Sequence, residues 1–248
     1  MNLSKLHHYA EYPNENSIVA TFDLESCVER NDVLPYLNTL TFLYGMSKFG
    51  NPVDRGQLYW QNNLDYFSSN WQNGQHKRWC SQPVNETIQG LQRQFTQLHS
   101  GFVKDWNIIN LPEHHLEYKL FNSTQVNKYI GPTDMIGAHS DNQSNFGINP
   151  TIMIWSLGVT RSLRFIRLLH NPSNARSKKI DETFEPIVID MKENTVLIMA
   201  GTTQDHFYHE IPCEANVPVD AVRYSVTFRE HSLELAEKYA EHHARAST

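Results

Sequence analysis

The sequence predicts a mainly β protein, a sandwich or barrel, with helices flanking it. Three observations predict this. From Tyr118 onward, short apolar or alternating runs follow one another, separated by turn signals at Gly131-Pro132-Thr133, Asn149-Pro150 and Lys192-Glu193-Asn194. Two of these runs, TIMIWSLGV and TVLIMAG, are continuously apolar, as buried strands are. The chain has 248 residues, 40% hydrophobic and 19% charged, which is enough for a substantial core. All-β folds of this length commonly form one domain.

The elements follow in order. Residues 1–16 read as a loosely held arm with His7 and His8 in solvent. Ser17–Asp23, SIVATFD, is β-branched and apolar, hence a strand. Leu24 to Leu40 carries an approximate helical stripe, which Pro35 is expected to split. Thr41 to Gln82 is rich in Asn, Gln and aromatic residues with no clean period, so it reads as an irregular lid or binding segment. Residues 84–107 place Val84, Ile88, Leu91, Phe95, Leu98 and Phe102 three or four apart, the pattern of an amphipathic helix lying on a sheet. The strands then run through KLFNSTQVNKYI, the two apolar runs, SLRFIRLLH, FEPIVIDM, FYHEIP and AVRYSVTFRE. The tail, 231–248, reads as helical or frayed, with His242 and His243 in solvent.

Composition narrows the function. A net charge of −6 argues against a broad nucleic-acid-coating surface while leaving room for a local basic groove. Three scattered cysteines support neither a disulfide framework nor a Cys-rich zinc site. The N-terminus lacks a signal-peptide core, and no apolar run approaches the ~18 residues of a membrane span. A soluble intracellular protein, cytoplasmic or nuclear, monomeric and without a membrane partner, is expected.

The chemistry starts at His139-Ser140-Asp141. In extended chain, residues i and i+2 share a face, so an imidazole and a carboxylate project side by side. A second histidine would complete the two-His, one-carboxylate set of non-haem Fe(II) oxygenases, which leaves positions open for co-substrate and O2. His206 and His209, in QDHFYHEIP, are both candidates. Arg223 and Arg229 lie an even number of residues apart, so one strand face carries two guanidinium groups. Such a pair is costly without anions. A dicarboxylate such as 2-oxoglutarate would offset that cost, since arginine binds carboxylates bidentately.

Five motifs then stand in order: Asn127-x-Tyr129, His139-x-Asp141, Ser156-Leu157-Gly158-x-x-Arg161, His209-x-Ile211-Pro212 and Arg223-x-Ser225-x-Thr227-Phe228-Arg229. Together, from Phe121 to Arg229, they resemble the AlkB-like Fe(II)/2-oxoglutarate-dependent dioxygenases. The resemblance implies a double-stranded β-helix (jelly-roll) core with N-terminal helices and an aromatic-rich lid. It implies one domain over 1–248, with an N-terminal helical and lid extension at 17–117, the core at 118–230 and a tail at 231–248. It makes His139, Asp141 and His209 the iron ligands, the FYHEI context favouring His209 and leaving His206 at the rim. Arg223 and Tyr129 would take the distal carboxylate of 2-oxoglutarate, and Arg229 and Asn127 would assist near the carboxylate proximal to iron. Ser225 stands where the family often has Asn and is shorter.

The reaction so implied converts 2-oxoglutarate and O2 to succinate and CO2 while a substrate C–H is hydroxylated. On an N-methyl group the product collapses to free base and formaldehyde. In this family the segment before the barrel recognises the nucleotide, which puts Tyr44, Phe49, Tyr59 and Trp60 forward as stacking residues and Arg55, Lys77, Arg78, Arg161 and Arg164 as phosphate contacts. Only Tyr44-Gly45 matches the family's familiar lid pattern. The expected function is oxidative demethylation of alkylated bases in DNA or RNA, a repair-like activity. The alternatives are the same chemistry on a small molecule or protein side chain, and a non-catalytic jelly-roll binding module.

Overall fold

The computed structural model describes residues 7–11, 16–24, 30–45, 52–61, 81–110, 115–141, 143, 146–171, 174–232 and 234. Two antiparallel sheets face each other. The larger has seven strands: β1 (His7–Glu11), β2 (Ser17–Asp23), β10 (Thr195–Gly201), β6 (Ile152–Gly158), β12 (Val222–Arg229), β4 (Ser123–Ile130) and β3 (Gly56–Trp60), in that spatial order. The smaller runs β5 (Ile136–His139), β11 (Phe207–Ile211), β7 (Arg161–Asn171) and β8 (Asn174–Ile180), with β9 (Ile187–Met191) also paired to β7. This is the jelly-roll arrangement the sequence predicts. It is closed outside by α1 (Arg30–Thr39) and α2 (Glu86–Ile109), and a short α3 (Thr203–His206) precedes β11.

The period-two rule explains why the large sheet has two unlike faces. On its outer face Val126, Trp155, Val226 and Phe228 pack with Ile88, Leu91, Phe95, Phe102 and Val103 of α2. Phe95 stacks on Phe228 at 4.0 Å between ring centroids. Each such buried side chain stabilises the fold by about 1.5–3 kcal/mol. Asn85 caps α2, its side chain accepting the Ile88 N–H at 3.0 Å. The inner face is apolar on β10 and β6, where Leu197, Met199, Ile152 and Ile154 join Leu163, Phe165 and Phe207 of the small sheet. It turns polar on β12 and β4.

Three expectations are corrected. Residues 7–11 form an edge strand, β1, paired antiparallel to β2, rather than a loose arm. Pro35 lies inside α1 without splitting it. The stretch 41–82 is not irregular throughout. Gly56–Trp60 pairs with β4 over its whole length, Gln57 opposite Asn127 and Tyr59 opposite Gln125. Its alternation of Gln57 and Tyr59 against Leu58 and Trp60 is hidden by polar neighbours. Among the described residues no helix is long and apolar enough to cross a membrane.

Candidate metal and co-substrate site

The site lies between the sheets, where β5 and β11 of the small sheet meet the polar inner face of β12 and β4. The register sets His209 directly opposite His139. Along β11, Phe207, His209 and Ile211 alternate inward. Asp141 follows β5 immediately. Its Oδ1 lies 3.5 Å from His139 Nε2 and 3.7 Å from His209 Nε2. The donor atoms of the three residues all lie within 4.8 Å of one another, so the group could hold one metal ion. Three N and O donors each about 2.1 Å from an ion would stand roughly 3–3.5 Å apart, close to these spacings. His206, the other candidate, ends α3 and is not in the cluster.

Each member is oriented by a neighbour. His139 Nδ1 lies 2.8 Å from the Gly137 carbonyl, which can only accept, so the proton sits on Nδ1 and Nε2 keeps its lone pair. The Asp141 N–H donates to Gln204 Oε1 at 2.8 Å. Arg229 grips Asp141 Oδ2 through Nε, at 2.9 Å, and through Nη2, which leaves Oδ1 facing the imidazoles. Burial would raise the Asp141 carboxyl, but the Arg229 guanidinium reverses this and holds it well below the usual carboxylate range. Burial pulls His209 down to about 3, with His139 beside it adding to the effect, so the imidazole is neutral. An ionised carboxylate and neutral imidazoles are the forms that bind metal.

The polar face of β12 and β4 continues from there. Arg223 pairs with Tyr129, Ser225 with Asn127 and Thr227 with Gln125 across the ladder. Arg223 is 1% exposed. Its Nε donates to Ser156 Oγ at 3.1 Å, while its Nη1 is buried and has no hydrogen-bond partner among the described residues. Its guanidinium carbon lies 5.5 Å from the Tyr129 ring centre. Burial lowers the Arg223 pKa to about 10, which leaves it charged at neutral pH. A buried cation with an unused donor fits a carboxylate ligand. Asn127 Oδ1 accepts from Gln57, Gln125 and Arg55 at 3.0, 3.2 and 3.2 Å. Ser225 is buried in the same row and flanked by Asn127 and Ser156.

The positions of the proposed substrate contacts differ from expectation. Trp60 belongs to the outer core with Leu58, and Tyr59 is buried on β3 opposite Gln125. Both are drawn into the sheet by the β3–β4 pairing. Tyr44 is exposed. Phe49, Lys77 and Arg78 lie outside the described residues. Arg161 is not a surface cation. It is buried, pairs with Glu214 at 2.7 Å and donates to the carbonyls of Gly131, Asp134 and Pro212. It thereby braces the turn that leads into β5 against the end of β11. Arg164 pairs with Glu210 at 2.9 Å, and Arg55 turns inward to Asn127. The sequence reading missed Gln57, Gln125 and Gln204. Gln125 carried a signal, standing two residues before Asn127 on the same face; Gln204 carried none, because only the tertiary fold brings it to Asp141.

Comparisons with known proteins agree with this geometry. Residues 45–229 match the 2OG-Fe(II) oxygenase superfamily. The mouse DNA oxidative demethylase ALKBH2 is 29% identical over 109 residues, 44% of this chain and 43% of that protein. The human alpha-ketoglutarate-dependent dioxygenase alkB homolog 3 is 32% identical over 110 residues, 44% of this chain and 36% of that protein. The matched region thus spans less than half the length of either relative. Among solved structures, OsALKBH1 aligns with a TM-score of 0.53 at 14% identity, covering 89% of this chain and 99% of that one. A Trichoplax adhaerens prolyl hydroxylase in complex with a peptide fragment aligns with a TM-score of 0.51 at 15% identity, covering 91% and 87%. These two show a shared fold. The chain belongs to the 2OG-Fe(II) oxygenase superfamily, whose members use Fe(II) with 2-oxoglutarate and O2, and within it resembles the AlkB-like proteins.

Proposed function

We propose that the chain is a single dioxygenase domain that oxidatively demethylates N-alkylated bases in nucleic acid. His139, Asp141 and His209 would hold Fe(II). Arg223 and Tyr129 would take one carboxylate of 2-oxoglutarate, with Asn127, Ser225 and Arg229 lining the rest of its path. The observation that carries this reading is the buried Arg223 guanidinium, its Nη1 unpaired among the described residues, on the same strand face as the Arg229–Asp141 pair. When bound, iron would activate O2 with 2-oxoglutarate as the electron donor, giving succinate and CO2, and so supply the oxidant that hydroxylates an N-methyl carbon. The chain's own residues do the rest. Arg229 keeps Asp141 ionised and turned, Gly137 fixes the His139 tautomer, and the apolar residues of the two sheets exclude water from one side of the site. Likeness to ALKBH2, a DNA oxidative demethylase, supports a nucleic-acid substrate.

A second reading, the same chemistry on a small molecule or a protein side chain, is favoured by one observation. Arg161 and Arg164 are engaged by Glu214 and Glu210, and Arg55 by Asn127, so these cations are committed within the protein. One experiment separates the two. The iron-loaded protein is incubated with 2-oxoglutarate and methylated single- or double-stranded oligonucleotides, and formaldehyde and succinate are measured. Equimolar formaldehyde and succinate is the expected result. Succinate that oligonucleotides do not stimulate would exclude the nucleic-acid reading and leave the second.

A further inference from the structure

We propose that Gln125 is a positioning residue that joins the metal corner to the co-substrate wall. The proposal rests on the reading above of Asp141 as a metal ligand and Asn127 as a co-substrate contact. Gln125 faces the interior from β4 and is 6% exposed. Both ends of its amide are used. Oε1 accepts from Arg229 Nη1 at 3.0 Å, and Nε2 donates to Asn127 Oδ1 at 3.2 Å. Arg229 holds Asp141, and Asn127 is also bonded by Gln57 of β3 and by Arg55 just before it. An unbroken chain of hydrogen bonds therefore crosses β12, β4 and β3, from Asp141 through Arg229, Gln125 and Asn127 to Gln57 and Arg55.

The chain has only one sense. A guanidinium is all donor, so the amide at 125 must turn its oxygen to Arg229. Its NH2 group must then face Asn127. Asn127 in turn must present Oδ1, where Gln57 and Arg55 also donate, so its own Nδ2 is left for another acceptor. A ligand carboxylate is such an acceptor. One guanidinium beside the metal corner thus dictates the orientation of two amides along β4. Glutamine is the residue that does this: leucine would offer Arg229 nothing, and glutamate would satisfy Arg229 but set an oxygen against Asn127 Oδ1.

The two substitutions therefore have crossed effects. Gln125→Leu should weaken Co(II) binding by the protein alone about tenfold, as loss of a group supporting a metal ligand does. Its 2-oxoglutarate affinity at saturating Mn(II) should fall only a few-fold, because Gln57 and Arg55 still hold Asn127. Gln125→Glu should leave Co(II) affinity within about threefold of the parent and weaken 2-oxoglutarate about tenfold. A merely structural role would move both affinities together. The test is Co(II) absorption titration and calorimetric titration of 2-oxoglutarate into the Mn(II)-loaded full chain, with Asp141→Ala beside them. Gln125→Met replaces the leucine variant if that does not fold. Crossed affinities support the proposal. If Asp141→Ala binds Co(II) as the parent does, the metal reading falls and the proposal with it. If Asp141→Ala loses Co(II) while both Gln125 variants match the parent within about twofold, the proposal alone is overturned.

Discussion

The two ends of the inner β12 face are built on opposite terms. At the Arg229 end, charge meets charge inside the protein: the guanidinium grips Asp141, and Gln204 and Gly137 hold the Asp141 backbone and the His139 ring. At the Arg223 end, an equally buried guanidinium reaches a serine hydroxyl, and its Nη1 has no partner among the described residues. The nearby acid is already used, since Glu214 belongs to Arg161. Burying an unpaired charge is expensive, and breaking a buried pair is costly because it leaves one. The contrast separates two jobs. On the proposed reading, one end is a scaffold for a metal and the other is a cation that a ligand carboxylate would complete.

The comparison is broken most severely at the metal corner. His139→Ala or Asp141→Ala should abolish 2-oxoglutarate-dependent succinate formation, by about a thousandfold or more, because an open site needs its full donor set. Full activity in either variant would refute the ligand assignment.

The next effects differ in sign between the two arginines. Arg229→Met leaves Asp141 buried without its counter-charge, and should lower the stability of the metal-free protein by about 3–5 kcal/mol in urea denaturation. Added Mn(II) should restore part of that loss, since the metal supplies the missing positive charge. Arg223→Met removes a cation that forms no ion pair among the described residues, so the same measurement should show no loss or a gain. Its cost should fall on the co-substrate, with the KM for 2-oxoglutarate raised about a hundredfold, the loss of a buried charged hydrogen-bond partner. Equal destabilisation by both arginine substitutions would erase the distinction between the ends.

A histidine far from the site provides the smallest effect. His99, fully buried on α2, is pulled down to about 4, first by burial and then by Lys119. Its folded pKa lies below its unfolded value near 6.5, so the unfolded chain binds the extra proton. Stability is therefore complete above about pH 6.5 and falls as pH drops toward 4, by up to about 3 kcal/mol. His99→Phe should flatten that part of the stability profile of the metal-free protein. An unchanged profile would show that His99 does not contribute to it.

How much of this was legible in the sequence depends on whether the signal was local. The strands of the core announced themselves by apolar runs, and α2 by its spacing, because burial of one face acts on neighbours two or four residues apart. The Arg223 and Arg229 face and the His139-Asp141 pair were legible for the same reason. β3 was not, because five residues of alternation are too few to stand out among Asn and Gln. Tyr59 and Trp60, candidates for stacking in the sequence, lie on that strand and are buried. Arg161 was misread because its acid, Glu214, lies across the fold, and charge alone does not say whether a side chain faces water or a partner. Gln204 reaches Asp141 across 63 positions of chain, a contact that only the assembled sheets create.

The proposed role of Arg223, to take a carboxylate of 2-oxoglutarate, is open to direct test. The measurement is calorimetric titration of 2-oxoglutarate, without oxygen, into the Fe(II)-loaded protein and its Arg223→Met variant. Saturable binding by the parent, weakened about a hundredfold in the variant with iron still bound, is the predicted result. Equal affinity in the two proteins would contradict it.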